Sequence, residues 1–232
     1  MKILGLIPAR CGSKGIKEKN IVDICGKPLI AYSIEQALTL KKLNLIDDVV
    51  VSTDCNKIAT ISKKLGANVP FLRPEEISGD KAKSISFILH ALDYYEKQGI
   101  EYEAVLLLQP TSPLRDIDIL KDAIERFKKS KVDSLISVYK EEYINDLVMY
   151  KVQKDNDQLE ALNPLHNEGV RRQDHGSIYV RNGAVYLTTS KYLKEIHKII
   201  SDNPLMLEMS KSQSINIDTV EDLVILRNIL CK

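Results

Sequence analysis

Residues 3–16 read Ile3-Leu4-Gly5-Leu6-Ile7-Pro8-Ala9-Arg10-Cys11-Gly12-Ser13-Lys14-Gly15-Ile16, a short apolar run that breaks into a basic loop containing glycine. A nearly continuous apolar run of this length is the pattern of a strand buried on both faces of a parallel sheet. Lys2 precedes the run, but Pro8 and Arg10 end it long before a signal-peptide core or a membrane span is complete.

Outward from that strand the pattern alternates. Apolar residues at helical spacing run from Leu29 to Leu40, a second strand signal at Asp48 to Ser52 carries Val49, Val50 and Val51, and a second helix runs from Lys57 to Leu65 with Gly66 as its stop. Helix Ser84 to Lys97, strand Ala104 to Leu108, helix Ile117 to Lys129 and strand Ser134 to Val138 follow. This alternation predicts an α/β fold, a doubly wound sheet with helices on both faces. From about Tyr139 to Val170 it fails: Lys151 to Asp157 is almost wholly polar and Asn163-Pro164 signals a turn, so an excursion from the main sheet is expected. Strand character returns at Ser177 to Thr188, and the chain closes with a short strand at Ser214 to Ile217 and a helix at Glu221 to Ile229. The 232 residues are read as one domain.

The composition, 44% hydrophobic and 28% charged, is that of a globular protein with a sizeable core. The 33 basic and 32 acidic side chains nearly cancel, so the electrostatic footprint of a general nucleic-acid binder is missing and anion binding must be local. Cys11, Cys25, Cys55 and Cys231 form no CxxC pair and no zinc spacing, which reads as thiols in a reducing cytoplasm rather than a disulfide framework. His90, His166, His175 and His197 make no catalytic or metal arrangement, and His90, on the apolar face of its helix, is expected in the core.

Positive charge is concentrated at the first strand exit, where Arg10, Lys14, Lys17 and Lys19 meet a single acid, Glu18. Ligands of open parallel sheets bind beyond the carboxyl ends of the strands, and Gly12 and Gly15 allow backbone N–H groups to turn toward phosphate oxygens. Taken alone, the loop also fits an ordinary solvated turn. It lacks GxGxxG and does not meet the GxxxxGK[ST] spacing, which argues against a dinucleotide dehydrogenase and a P-loop ATPase.

Taken together, IPARCGSKGIKEKN (from Ile7), VSTD, RPEEISGDKAKS, LLQPTSPLR, RRQD followed by RNGAVY, and INIDTVEDL resemble the ordered motifs of the acylneuraminate cytidylyltransferase family, the CMP-sialic acid synthetases. The resemblance spans Ile7 to Leu223. It implies a Rossmann-like, mostly parallel sheet of the nucleotide-diphospho-sugar transferase type. It also implies transfer of CMP from CTP to the anomeric 2-hydroxyl of N-acetylneuraminate, or of legionaminic, pseudaminic or another nonulosonic acid, with Mg²⁺ assistance and release of pyrophosphate. Such an in-line displacement asks the protein mainly to position two oxygens and stabilise charge on the leaving group.

The resemblance assigns the triphosphate to Arg10, Gly12, Ser13, Lys14, Lys19 and Asn20, with Arg10 and Lys19 nearest the reacting phosphate. It assigns the cytosine or ribose to Arg73 and Ser84, and the sugar acid to Gln109, Thr111, Ser112, Arg172 and Gln173. A guanidinium such as that of Arg172 suits a carboxylate because its fork bonds both oxygens. Asp218 is the implied metal ligand, with Asn216 standing where many members of the family carry a second aspartate. Cys11 likewise replaces a family glycine. Read without the resemblance, Ser84 and Asp218 are equally helix caps, and Gln109 to Ser112 is a Pro-bounded turn. The segment at about 139–170 coincides with the arm that family members extend onto a partner subunit, which implies a homodimer. A catalytically idle nucleotide-binding module is the remaining alternative, raised by Asn216 and Cys11.

Overall fold

A computed structural model describes residues 1–13, 15–142, 144–153, 158–169 and 177–231. Its centre is a six-stranded sheet built from β1 (Ile3–Pro8), β4 (Asp48–Ser52), β5 (Ala104–Leu108), β6 (Ser134–Glu141), β9 (Ile178–Thr189) and β10 (Leu205–Glu208), in the spatial order β10-β6-β9-β5-β1-β4. All neighbours pair in parallel except β9, which runs antiparallel to both β5 and β6. The sheet is therefore mostly parallel, as the alternation predicts, and the carboxyl ends of β1, β4 and β5 open on one edge of the domain.

Both faces are covered. On one, Ile3 and Ile7 of β1 and Val49 and Val51 of β4 pack with Ile30, Ile34 and Ala37 of α1 (Leu29–Lys42), Ile58 of α2 (Asn56–Lys64), and Leu120, Ile124 and Phe127 of α4 (Ile117–Lys129). On the other, Leu4, Leu6, Val105 and Leu107 meet Phe87, Ile88, Ala91 and Leu92 of α3 (Ser84–Glu96) and Leu193 of α5 (Ser190–Ile196). Alternate residues of β1 thus point to opposite cores, which is why its run is apolar throughout. Full burial of a Leu or Ile side chain here contributes about 1.5–3 kcal/mol. The α4 boundary is set by Asp116, whose carboxylate accepts a hydrogen bond from the Asp118 N–H at 2.8 Å.

Between β1 and α1 lies a two-residue hairpin, β2 (Asp23–Ile24) with β3 (Lys27–Pro28). Within the excursion, β7 (Tyr150–Val152) pairs antiparallel with β8 (Leu159–Ala161), apart from the main sheet, while β6 itself continues to Glu141. Asn182-Gly183 forms a bulge: the β6·β9 register shifts between Ile136 and Val138, and Gly183 adopts φ +75°. Ser137 holds the bulge, its hydroxyl donating to Asn182 Oδ1 and accepting the Val185 N–H at 2.8 Å.

Three expectations change. Residues 214–217 do not form a strand: a 3₁₀ turn occupies Ser212–Ser214, and the Ile217 N–H goes to the Thr111 carbonyl at 2.8 Å. The edge strand is instead β10, which follows Asn203-Pro204 and pairs with β6. The cysteines are not all isolated thiols, because Cys25 and Cys231 form a disulfide across a sequence separation of 206. That bond ties the β2–β3 turn to the end of α6 (Val220–Leu230), whose Leu223 and Leu226 pack with Ile24 and Leu29. His90 is only half-buried, edge-on to Phe71 at 4.6 Å. Among the described residues no helix is long and apolar enough to cross a membrane.

Candidate active site

The loop leaving β1 is built before it meets any ligand. The Ala9 N–H extends the β1–β4 ladder by donating to the Ser52 carbonyl at 3.0 Å, and the Arg10 carbonyl accepts the buried Asn20 amide at 3.0 Å. Glu18 sits at φ +53°, turning the chain into a 3₁₀ turn at Lys19–Ile21. The Lys57 ammonium grips both Glu18 oxygens at 2.7 and 2.9 Å, and that hydrogen bond holds the Glu18 carboxyl below its usual range.

Lys19 then reaches across the chain. Its Nζ donates to the Ile217 carbonyl at 2.8 Å and to Asp218 Oδ1 at 2.9 Å, while the Asn216 amide donates to Asp218 Oδ2. Ser112 Oγ lies 3.4 Å from Asn216 Oδ1. The segment Asn216–Asp218 is thereby stitched between the loops that follow β1 and β5. The fit is close enough to require glycine at position 15, where a Cβ would stand 2.5 Å from the Asp218 carbonyl oxygen. From the other side, Asp222 accepts the N–H groups of Asp218 and Thr219 at 2.9 and 2.8 Å, which lowers its own pKa and completes a capping box with Thr219. Thr219, not Asp218, is the cap of α6. The Asp218 side chain, 64% exposed, is left facing the cleft. An ion pair that open adds little stability, so its effect is to fix position.

The cleft, about 360 Å³, is lined by Arg10, Ser13, Lys19, Asn20, Arg73, Ser84, Gln109, Thr111, Asn216 and Asp218, together with Pro8, Ile77 to Asp80, Ala82, Phe87 and Pro110. That volume is in the range of small-molecule sites. Arg73 forms one wall: its guanidinium donates to Ser52 Oγ at 3.1 Å and to the Ser52 carbonyl, and stacks 4.6 Å over the Phe87 ring. Burial lowers its pKa to about 10, which leaves it cationic at neutral pH. Ser84 is the first residue of α3, with Lys83 at the cap position. Arg10 pairs with Asp80 across the cleft mouth.

Ten of the residues assigned from sequence therefore share one cavity. Ser112 does not line it: it is buried behind the wall, with its hydroxyl toward Asn216. Gly12 is exposed, and a Cβ there would meet nothing within 4 Å. Lys14, Arg172 and Gln173 lie outside the described residues.

One participant is absent from the sequence assignment. Arg115, in the motif LLQPTSPLR, is buried and donates to the carbonyls of Gln109 (2.8 Å) and Ala184 (3.1 Å), to Gln36 Oε1 (2.8 Å), and to Ser33 Oγ. Gln36 returns its amide to the Pro113 and Arg115 carbonyls at 2.8 and 2.9 Å. Burial pushes this guanidinium down to about 9. The arginine holds the Gln109–Ser112 loop against α1 and β9. Its signal in the sequence was an arginine beside two prolines, which gives no indication of burial.

The donor set fits a hard cation sparingly. No group of three or more His, Cys, Asp or Glu side chains converges among the described residues, but Mg²⁺ is commonly held by one or two carboxylates with substrate phosphates and water completing the shell. Asp218 supplies such a carboxylate, while Asn216 turns its amide N–H toward Asp218 and its oxygen toward Ser112, so its oxygen would join the set only after the amide turns over.

Comparison with known proteins gives concordant matches. A sequence profile described as cytidylyltransferase matches residues 4–220. A pseudaminic acid cytidylyltransferase of Campylobacter jejuni is 36% identical over 223 residues, covering 96% of this chain and 94% of that one. An N-acylneuraminate cytidylyltransferase of Escherichia coli is 35% identical over 222 residues, covering 94% of this chain and 49% of that longer protein. Among solved structures, a CMP:2-keto-3-deoxy-manno-octonic acid synthetase complexed with CTP superposes with TM-score 0.72 at 16% identity, covering 100% of this chain and 99% of that one, a likeness of fold.

Proposed function

We propose, for a chain that belongs to the cytidylyltransferase family, that this cleft transfers CMP from CTP to the anomeric hydroxyl of a nonulosonic acid and releases pyrophosphate. The observation that carries the reading is the Lys19 ammonium, held at 2.8–2.9 Å between the Ile217 carbonyl and Asp218 in a cavity also lined by Arg10 and Arg73. A cation fixed beside a carboxylate at the exit of β1 is suited to an α-phosphate under attack.

In this reading Arg10, Ser13, Lys19 and Asn20 face the triphosphate, and Arg10 leaves Asp80 for the leaving pyrophosphate. Arg73, rigid on Phe87, and Ser84 present donors to the cytosine or ribose. Gln109 and Thr111 face the sugar, held by Arg115 from behind. Asp218, with Asn216, would hold Mg²⁺, which supplies charge neutralisation on the phosphates when bound. Fixed donors of this kind act by being in place before charge develops, so no reorganisation is needed at the moment of reaction.

Pseudaminic acid is the first sugar to offer, because a relative of that name aligns over nearly its whole length. N-acetylneuraminate is the second, supported by the relative that carries its name at 35% identity. The test is Mg²⁺-dependent pyrophosphate release from CTP with pseudaminate, N-acetylneuraminate, legionaminate and Kdo in turn. Release with one sugar bears the reading out. CTP binding without release from any of them would turn it toward an idle module.

We also propose a homodimer. Ile144, Val148, Tyr150, Val152, Leu159 and Leu165 are all more than 45% exposed on the excursion, a concentration of apolar side chains that a second copy would cover. Light scattering at the mass of one chain would overturn this.

A further inference from the structure

We propose that Cys11 and Cys55 are a covalent modification site, forming a reversible disulfide that fastens the loop after β1 to the start of α2. The Sγ atoms stand 2.7 Å apart, while both residues are free thiols. A disulfide needs about 2.05 Å, so closure asks for a shift of well under an ångström.

The approach is built into the main chain. The Cys11 N–H donates to Asp54 Oδ1 at 2.9 Å, and one residue earlier the Ala9–Ser52 bond continues the sheet. Opposite, the Cys55 N–H donates to Thr53 Oγ1 at 3.1 Å, and the Thr53 carbonyl accepts the Arg73 N–H at 2.7 Å. Each sulfur thus hangs from a residue whose own N–H is held, and Cys11 is exposed to a reagent.

The oxidant is a low-molecular-weight disulfide such as oxidised glutathione. The Cys11 thiolate attacks one of its sulfurs and expels a glutathione thiolate, giving a mixed disulfide. The Cys55 thiolate then attacks the Cys11 sulfur and expels the second glutathione. Two protein thiols have lost two protons and two electrons, and the small disulfide has become two thiols. The hydrogen bond that the Cys11 thiol donates to Cys55, burial, and the charges of Cys55, Asp54 and Glu18 push the Cys11 thiol up to about 11. Thiolate is therefore scarce at neutral pH, and closure answers to sustained rather than brief exposure.

The bond would hold Arg10, next in the chain, where it pairs with Asp80, and so would slow CTP turnover. That effect rests on the proposed function, whereas the bond does not. The full chain is incubated with oxidised glutathione, alkylated and digested with trypsin without reduction. The expected product is the peptide 11–14 joined to the peptide carrying Cys55, distinct in mass from the Cys25–Cys231 pair. Pyrophosphate release should fall several-fold and return on adding dithiothreitol, and in Cys55→Ser, whose fold is checked by circular dichroism, the joined peptide should be replaced by peptide 11–14 carrying glutathione. Recovery of Cys11 and Cys55 both alkylated after treatment would overturn the proposal, whether or not any sugar is turned over. A joined peptide with unchanged turnover would overturn the effect on Arg10 alone.

Discussion

Asn216→Asp is the perturbation whose consequence follows most directly from the geometry. In the native site both Asp218 oxygens are engaged, Oδ1 by Lys19 and Oδ2 by the Asn216 amide. The substitution removes that donor and sets a second negative charge at hydrogen-bond range of the first. Asp218 is 64% exposed, so a water-like dielectric applies: two unit charges about 3 Å apart repel by about 1.4 kcal/mol at a dielectric constant of about 80. The lost hydrogen bond adds about 1 kcal/mol. Without divalent ions the variant should therefore unfold about 2 kcal/mol more easily, a fall in Tm of about 4–8 °C for a chain of this length. Mg²⁺ should reverse the deficit, because two carboxylates attract the ion that one carboxylate and an amide hold weakly, and the Mg²⁺ concentration giving half-maximal pyrophosphate release should drop by about tenfold. Thermal unfolding in EDTA and across a MgCl₂ series, beside the release assay, reads both quantities. A variant as stable as wild type in EDTA, with an unchanged Mg²⁺ requirement, would refute the reasoning.

Other outcomes follow from the same contacts. Lys19→Ala should leave the fold intact by circular dichroism and lower kcat by about 10²–10³-fold, as removal of a preorganised charge-stabilising donor does. Arg115→Met removes the guanidinium partner of the buried Ala184 carbonyl, at about 1–3 kcal/mol, and leaves the Gln109 carbonyl with the Ser112 N–H alone; it should lower the urea midpoint, with Arg115→Lys recovering only part. Cys231→Ser should cost about 2–4 kcal/mol of stability in urea unfolding, since it opens the loop closed by the Cys25–Cys231 bond. Burial would raise the Asp48 carboxyl, but hydrogen bonds from Tyr102 (2.5 Å) and Lys41 (2.9 Å) outweigh it and hold the group below its usual range. A depressed carboxyl stabilises above its unfolded value of about 3.9 and loses that contribution as pH falls through the folded value. The stability gap between wild type and Tyr102→Phe should accordingly be full at pH 7 and shrink below about pH 4.

The sequence was most informative where local pattern and burial agree. Ile117–Lys129 is helical over the predicted span because Asp116 caps it and Leu120, Ala123, Ile124 and Phe127 recur at helical spacing. β1 was legible because both its faces are buried. β10 was not, being four residues whose pairing with β6 depends on a distant element, whereas residues 214–217 imitate a strand by alternation yet spend their N–H at position 217 on the Thr111 carbonyl. The basic loop was visible as charge, and Asp218 through the motif around it. Arg115, Asp80 and the Cys25–Cys231 bond are tertiary facts. Nothing local distinguishes an arginine that crosses the interior from one that faces water, or two cysteines more than 200 positions apart that meet.

Lys19 and Asp218 stand 199 positions apart, and that interval is also a delay in time. A ribosome adding about 5–20 residues per second makes Asp218 about 10–40 s after Lys19. Throughout that interval the nascent polypeptide carries the cationic half of the cleft without the carboxylate half. Any fragment that ends before position 216 therefore carries Arg10, Lys19 and Arg73 without the carboxylate that fixes the Lys19 ammonium.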